Sequence, residues 1–311
     1  WLKRSGSRVA PSVGGLLNLE RNCVLLTRSS LPHKRFWMTT PSMEERVANF
    51  KRDGYTIFRQ VYDAEAMQAW KEEQTRLEEE SLRMSLGVRV GNENPLRSGW
   101  FGNMVERSPA LMWPAVSNAL ILDFAEQIVG PFVQLDNLTL AAFPVMNEAH
   151  RSKASGKVSG FHRDRWARIP TGHYERPPAL NAICYLQDLT DDNGPLRIVP
   201  DSHLQPITMD MRTVNQPHPE EKLIYMKAGD VIVTHTGLLH SGSPNLSDSK
   251  RYFFSVYYNT TWMKHTDTYA GPNCQALIAW ARKRKDHRSL RLLGQDEQLE
   301  QRANSGFQQS D

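Results

Sequence analysis

The first regular pattern of apolar and polar residues begins near Ser42 and has the spacing of a helix. Ser42 is followed three residues later by Glu45, which is the sequence pattern of a capping box, and Phe50 lies on the apolar face that follows. The pattern predicts a helix that ends at about Arg52. A four-residue strand is predicted next, over residues 55–58.

A second and longer helix is predicted after Asp63, a residue type that caps helices well. Met67, Trp70 and Leu77 recur at helical spacing and predict its buried stripe. Glutamates fill the positions that are expected to face away from the core: Glu72, Glu73, Glu78, Glu79 and Glu80. We interpret these carboxylates as a solvated face and not as a metal site, because charged side chains are usually exposed.

Residues 87–114 contain seven glycines and prolines. This composition predicts an irregular, loop-dominated cover. Segments of this kind often shape a substrate site, and an ordinary connector between two elements is the alternative interpretation.

Short β-prone runs separated by turn residues fill most of the chain after Phe132. They cover residues 133–143, 180–187, 196–199, 223–226, 231–234 and 252–258. Many short strands without alternating helices favour a sandwich or barrel over a parallel sheet. A closing helix is predicted over residues 275–293. The expected organisation is a disordered or leader segment over residues 1–40, a single domain over residues 41–294 and a tail over residues 295–311.

The formal net charge of +4 is concentrated at the amino terminus. Residues 1–37 contain seven Lys or Arg and one Glu, a net charge of +6, so the remainder carries +4 − 6 = −2. A folded body with this charge is not expected to bind nucleic acid. The basic segment indicates either that the protein starts at Met38 and is cytoplasmic, or that a mitochondrial transit peptide precedes the domain.

Apolar runs and cysteines exclude two further classes. No apolar run approaches the roughly 18 residues that a membrane-spanning helix needs. The three cysteines lie far apart and form no C-x-x-C pair, so neither a disulfide framework nor a thiolate zinc site is predicted. A small-molecule substrate is the expected partner, and the sequence indicates no oligomeric state.

Candidate metal ligands occur in the segment Phe-His-Arg-Asp at residues 161–164. Side chains alternate along an extended segment, so His162 and Asp164 point to the same side and converge on one cation. His240 follows a β-prone run and supplies a third ligand from a distant strand. Two histidines and one carboxylate leave three coordination positions open, which suits iron(II) and oxygen chemistry. His235 is the alternative distal histidine.

Arg251 lies eleven residues after His240 and begins a strongly apolar β-prone run. Burial of a guanidinium without a partner anion is costly. An interior Arg251 therefore predicts that a carboxylate ligand binds beside it.

These motifs resemble those of the phytanoyl-CoA dioxygenase family of iron(II)- and 2-oxoglutarate-dependent oxygenases. The matching stretch runs from about Val47 to Thr260. The motifs that carry the resemblance are F-H-R-D at 161–164, D-N-G-P-L-R-I-V-P-D-S-H at 192–203, A-G-D-V-I-V at 228–233 and H-S-G-S-P-N from His240, followed by Arg251.

The resemblance implies a mainly β (α+β) fold, a cupin-like double-stranded β-helix or jelly roll with flanking amino- and carboxy-terminal helices. It implies that His162, Asp164 and His240 are the metal ligands. Arg251 is then expected to bind the far carboxylate of 2-oxoglutarate through two parallel hydrogen bonds. Asn181 is expected to contact the cosubstrate, and a polar residue at a strand end is its alternative interpretation.

The implied activity is hydroxylation of a small organic metabolite by Fe(II), 2-oxoglutarate and O2, with release of succinate and CO2. Arginines after the first two ligands favour an anionic substrate, such as an acyl compound. Expected substrate contacts are Arg163, Arg165, Trp166, Arg168 and Tyr174, with His173 near the mouth of the site. Two other classes stay open: a jelly-roll binding or regulatory module without turnover, and a zinc hydrolase that uses the same ligands.

Overall fold

The computed structural model describes residues 41–84, 99–164, 177–205 and 210–298. The helices in this part of the chain are α1 (Met43–Asp53), α2 (Ala64–Met84), α3 (Met104–Arg107), α4 (Pro109–Val116), α5 (Ala119–Val129), α6 (Glu148–Ala154), α7 (Pro272–Arg284) and α8 (His287–Leu292). The strands are β1 (Tyr55–Phe58), β2 (Trp100–Phe101), β3 (Val133–Phe143), β4 (Ala179–Tyr185), β5 (Leu196–Ile198), β6 (Lys222–Ile224), β7 (Val231–His235), β8 (His240–Gly242) and β9 (Arg251–Thr260).

Two antiparallel sheets form the body of the protein. The larger has the strand order β1-β7-β4-β9-β3-β2, and the smaller has the order β6-β5-β8. An extended segment on the outer edge of β8 continues the smaller sheet, because Ser159 donates to Gly242 and His162 pairs with His240. The chain thus passes back and forth between two sheets, which is the double-stranded β-helix, or jelly roll, that the family resemblance implied.

The larger sheet buries a different apolar set on each face. Its outer face packs against the helices, where Val233 and Phe254 share a core with Phe124 of α5. Its inner face packs towards the smaller sheet, where Ile183 and Phe253 share a second core with several other apolar side chains. This alternation leaves the inner face of β4 and β9 to line the barrel interior.

The predicted first helix is confirmed down to its cap. The backbone N–H of Glu45 donates to Ser42 Oγ at 3.1 Å, and the backbone N–H of Ser42 donates to the Glu45 carboxylate at 2.6 Å. Gly54 ends the helix with φ of 80°, a left-handed conformation that favours glycine. Phe50 of this helix packs edge to face on Phe124 of α5, with ring centroids 5.5 Å apart, and fixes α1 against that helix.

The predicted long helix is also present, with a correction to its polar face. Met67, Trp70 and Leu77 are buried as expected. Glu73, however, is buried, because its carboxylate pairs with Arg76 at 2.7 Å and also accepts a hydrogen bond from a neighbouring serine hydroxyl. Part of the glutamate-rich face therefore fixes the helix to the following segment.

Two other predictions on secondary structure are wrong in part. Residues 100–116, most of which belong to the expected loop-dominated cover, form β2, α3 and α4. Pro109 does not break α4, because it stands at the first position of the helix, where its missing N–H costs nothing. The single closing helix is two helices, because Lys285 takes a left-handed conformation and Asp286 caps α8 through the N–H of Ser289.

Other predictions fall outside the described residues. These are the leader over residues 1–40, the tail beyond residue 298 and residues 87–98 of the expected cover. The domain boundaries stay a prediction. Among the helices described, none has the length and apolar character that crossing a membrane requires.

Candidate metal centre

Three side chains from two distant parts of the chain meet at one end of the barrel. The candidate ligand atoms of His162, Asp164 and His240 all lie within 4.8 Å of one another. Nε2 of His240 is 3.7 Å from Oδ1 of Asp164, and the two imidazole centroids are 4.3 Å apart. The structure brings together the three residues that the sequence selected.

Backbone pairing fixes this convergence. His162 and His240 exchange N–H to carbonyl hydrogen bonds of 2.9 and 3.0 Å, and the N–H of Asp164 donates to the carbonyl of Thr236 at 2.9 Å. Alternation places Arg163 on the opposite side, where its guanidinium donates to backbone carbonyls, including that of Ser202 at 2.8 Å. Arg163 is thus engaged with the backbone and is not an open contact for a substrate.

Second hydrogen bonds orient both imidazoles. Nδ1 of His162 lies 2.9 Å from the carbonyl oxygen of Gly160, and Nδ1 of His240 lies 2.9 Å from that of Leu238. A carbonyl can only accept, so each Nδ1 carries a hydrogen, and in the neutral ring the lone pair is on Nε2. This is the arrangement in which histidine binds a metal through Nε2.

Two donors hold the Asp164 carboxylate, whose side chain is only 6% exposed. The Tyr257 hydroxyl donates to Oδ1 at 2.7 Å, and Nδ2 of Asn181 approaches Oδ2 at 3.2 Å. The Ser255 hydroxyl in turn donates to Oδ1 of Asn181 at 2.7 Å. Asn181 was expected to contact the cosubstrate, and the contacts it makes in the structure are with a candidate metal ligand and a serine.

Tyr257 and Ser255 are site residues that the sequence reasoning missed. Both belong to β9, and alternation from Arg251 places residues 253, 255 and 257 on the same inner face of the sheet. The signal was therefore present in the period of two along the predicted strand, once Arg251 was taken as interior.

Arg251 is buried with an exposed fraction of 2%. Its Nη1 donates to the carbonyl oxygens of Asn193, Gly194 and Ser243 at 2.7, 2.6 and 2.9 Å. The guanidinium carbon lies 4.3 Å from the ring centroid of Phe143. Burial lowers the pKa of Arg251, as expected for a cation that is removed from water without a counter-ion.

One edge of this guanidinium stays open. Nε is buried and has no hydrogen-bond partner, and in the described part of the chain no hydrogen bond involves Nη2 and no carboxylate pairs with the side chain. Nε and Nη2 form a planar two-donor fork that matches a carboxylate. Because buried donors are normally paired, an unpaired Nε on this edge indicates a place where an anion binds.

His235, the alternative distal ligand, lies on the other face of β7. Its ring packs 5.9 Å from Phe50 and 4.8 Å from His203, between the larger sheet and α1. Burial, reinforced by the nearby His203 and Arg163, lowers the pKa of His235 to about 3. The structure therefore places His240, and not His235, with the other two ligands.

The remaining expected substrate contacts lie outside the described residues. They are Arg165, Trp166, Arg168, Tyr174 and the neighbouring His173. For the described residues, the donor set is two imidazoles and one carboxylate, which fits a divalent iron ion with open coordination positions.

Comparison with known proteins gives this site a family context. The sequence profile of "Phytanoyl-CoA dioxygenase (PhyH)" matches residues 50–253. A curated relative, L-proline trans-4-hydroxylase of Streptomyces griseoviridis, is 26% identical over a region that covers 45% of this chain and 59% of the relative. The chain thus matches somewhat more than half the length of that enzyme.

Solved structures with the same fold include two with metal and cosubstrate. The non-heme epimerase SnoN from nogalamycin biosynthesis, in complex with Fe3+, alpha ketoglutarate and nogalamycin RO, superposes with a TM-score of 0.51 at 22% identity and covers 70% of this chain and 84% of its own. HygX from Streptomyces hygroscopicus, with nickel, 2-oxoglutarate and hygromycin B bound, superposes with a TM-score of 0.55 at 15% identity. The match covers 71% of this chain and 88% of the HygX chain. At these identities the likeness shows the jelly-roll fold. With the profile matching most of the chain, the protein belongs to the phytanoyl-CoA dioxygenase (PhyH) family, the family that its sequence motifs resemble.

Proposed function

We propose that this protein is a non-haem iron(II)- and 2-oxoglutarate-dependent dioxygenase that hydroxylates a small organic molecule, with release of succinate and CO2. The observation that carries the proposal is the pairing of two features in one barrel. His162, Asp164 and His240 converge as candidate metal ligands, and Nε of the buried Arg251 has no hydrogen-bond partner among the residues that the structure describes.

The residues of this chain would hold the metal and its cosubstrate in a fixed arrangement. Nε2 of His162, Nε2 of His240 and a carboxylate oxygen of Asp164 would bind iron and leave three positions open. When bound, iron and 2-oxoglutarate supply the oxidising chemistry, and the protein supplies position and electrostatics. The Nδ1 hydrogen bonds of both histidines prevent the rings from rotating away from the metal.

Arg251 would bind the far carboxylate of 2-oxoglutarate through Nε and Nη2. Because Nη1 is tied to three backbone carbonyls, the guanidinium plane is fixed before the ligand arrives. A fixed donor pair in a buried site loses little entropy on binding and competes with little water. A keto acid with a second carboxylate for this donor pair is therefore favoured over one that lacks it.

The substrate is a further part of the proposal. We expect a small organic molecule with an anionic group, on the basis of the arginines that follow Asp164 in the sequence. Similar proteins include an L-proline trans-4-hydroxylase and an alpha ketoglutarate dependent epimerase. Because one of these proteins is a hydroxylase and the other an epimerase, the organic product must be identified as well as succinate.

The test combines a spectrum and a product assay. Anaerobic addition of iron(II) and 2-oxoglutarate is expected to give a visible metal-to-ligand charge-transfer band, which a zinc hydrolase or a binding module would not give. Succinate release is then screened over acyl thioesters, amino-acid derivatives and terpenoid or alkaloid acids, with His162→Ala as the blank. Absence of the band in the wild-type protein, together with no succinate above the blank, would refute the proposal.

A further inference from the structure

Asp164 is held by a separate donor on each of its two carboxylate oxygens. Tyr257 donates to Oδ1 at 2.7 Å, and Asn181 approaches Oδ2 at 3.2 Å. A carboxylate bound in this way cannot rotate about its terminal bond without breaking both contacts. The two donors therefore determine which oxygen faces the other ligands.

The oxygen that faces the other ligands is Oδ1. It lies 3.7 Å from Nε2 of His240, which is less than twice the roughly 2.1 Å of a metal–ligand bond, so one ion can bind both atoms. Oδ2 is turned towards Asn181 instead. If both oxygens bound the metal, one of the three positions that the cosubstrate and O2 require would be occupied.

The orientation of Asn181 is itself fixed. The Ser255 hydroxyl donates to Oδ1 of Asn181 at 2.7 Å, which leaves the amide nitrogen to face Asp164. Asn181 is 2% exposed, so water does not compete for either contact. Ser255 and Tyr257 are both on β9, the strand that begins with Arg251, so one strand carries the supports of the carboxylate and the proposed cosubstrate contact.

We propose that Tyr257 and Asn181 are positioning residues that restrict Asp164 to binding the metal through Oδ1 alone and so keep three coordination positions open. Tyr257 fixes the oxygen that binds and withdraws negative charge from it. Asn181, oriented by Ser255, retains the other oxygen. The inference rests on the proposed function only for the statement that the open positions serve 2-oxoglutarate and O2.

The first experiment measures metal affinity without cosubstrate. Cobalt(II) is titrated into wild-type protein, Tyr257→Phe and the matched control Tyr252→Phe. Tyr252 is on the same strand but packs with the outer core, near Lys71. Loss of an outer hydrogen bond to a metal ligand typically weakens metal binding by about 10- to 100-fold. We expect a loss of that size in Tyr257→Phe and less than a twofold change in the control.

The second experiment counts the open positions. Water-proton relaxation of the manganese(II) complex reports the number of exchangeable waters on the metal, which is three for a ligand set of this kind. In Asn181→Ala, the released oxygen is expected to bind the metal as well, and the relaxation enhancement per bound manganese falls by about one third. Ser255→Ala, which leaves Asn181 in place but frees its amide to rotate, is expected to give a smaller fall in the same direction.

The outcomes separate this inference from the proposed function. Both experiments use the metal alone, so a protein that never turns over 2-oxoglutarate can still show the effects. Equal cobalt affinity in Tyr257→Phe and the wild type would overturn the role of Tyr257. Unchanged relaxation in folded Asn181→Ala would overturn that of Asn181, and if Asn181→Ala does not fold, unchanged relaxation in Ser255→Ala decides the same point.

Discussion

Replacement of Arg251 by lysine separates its structural role from its proposed binding role. Lysine keeps the positive charge but is a point donor and cannot present the two-donor edge. If Nε and Nη2 bind the far carboxylate of 2-oxoglutarate, at least one charge-assisted hydrogen bond is lost. Such a bond is worth about 1.5 to 3 kcal/mol. The KM for 2-oxoglutarate is then expected to rise by roughly 10- to 100-fold.

The same substitution also affects the fold. Nη1 satisfies three backbone carbonyls, and the shorter lysine leaves at least one of them unpaired in a buried position. An unsatisfied buried group costs about 1 to 3 kcal/mol. For a domain of this size, each kcal/mol lowers the melting temperature by about 2 to 4 °C. A modest loss of stability is therefore expected even without cosubstrate.

A control and a kinetic signature distinguish the two effects. Arg291 of α8 is a second buried arginine, which donates to the carbonyl of Val133 and pairs with Glu126 of α5. Arg291→Lys is expected to lower the melting temperature but to leave the KM for 2-oxoglutarate unchanged. In Arg251→Lys, kcat at saturating 2-oxoglutarate is expected to stay close to that of the wild type, because the lost contact is equally present in the ground and transition states. If Arg251→Lys is folded and keeps the wild-type KM for 2-oxoglutarate, Arg251 does not bind the far carboxylate as proposed.

Three other measurements test different parts of the structure. His235 has a pKa of about 3, below its ordinary value of 6.5, so the unfolded chain binds this proton at a higher pH than the folded protein. Its contribution to the free energy of unfolding is therefore complete above about pH 6.5 and declines as the pH falls towards about 3, by at most about 1.4 kcal/mol per pH unit. In His235→Asn, the free energy of unfolding from denaturant titrations should depend less steeply on pH over that range. Manganese(II) at about 100 times its Kd should stabilise the wild type by about 2.7 kcal/mol in a thermal melt and should not stabilise His240→Ala. Phe50→Ala removes the edge-to-face contact with Phe124 and is expected to lower the free energy of unfolding by about 3 to 5 kcal/mol in denaturant titrations. The affinity for metal is expected to be retained. A loss of metal binding in the folded variant would contradict the independence of this core contact from the site.

The sequence predicted the parts of this fold that depend on short-range patterns. The cap at Ser42 and the strand over residues 133–143 follow from local spacing, and the structure has both. Alternation in the segment His162 to Asp164 likewise predicted a shared direction, because the period of two holds wherever the chain is extended. His240 was preferred to His235 as the distal ligand, and the structure places His240 beside His162 and Asp164.

The failures depend on contacts between distant parts of the chain. Burial of Glu73 could not be predicted, because its partner Ser108 comes from another element and a local pattern shows only a charged position. The predicted contact of Asn181 with the cosubstrate stays a prediction, and its contact with Asp164 was not foreseen, because the two residues come from distant parts of the chain. The inward direction of Tyr257 follows from the period of two along β9, but its contact with Asp164 depends on how distant strands pair, since β9 lies between β4 and β3 in the sheet.

The most direct test of the proposed iron and 2-oxoglutarate site is a crystal structure of the protein with both bound. The crystals are grown without oxygen, and the data are measured at the iron absorption edge. We expect one anomalous peak within bonding distance of Nε2 of His162, Oδ1 of Asp164 and Nε2 of His240, with the far carboxylate of 2-oxoglutarate on Nε and Nη2 of Arg251. An ion bound elsewhere, or a cosubstrate carboxylate that does not contact Arg251, would contradict this expectation.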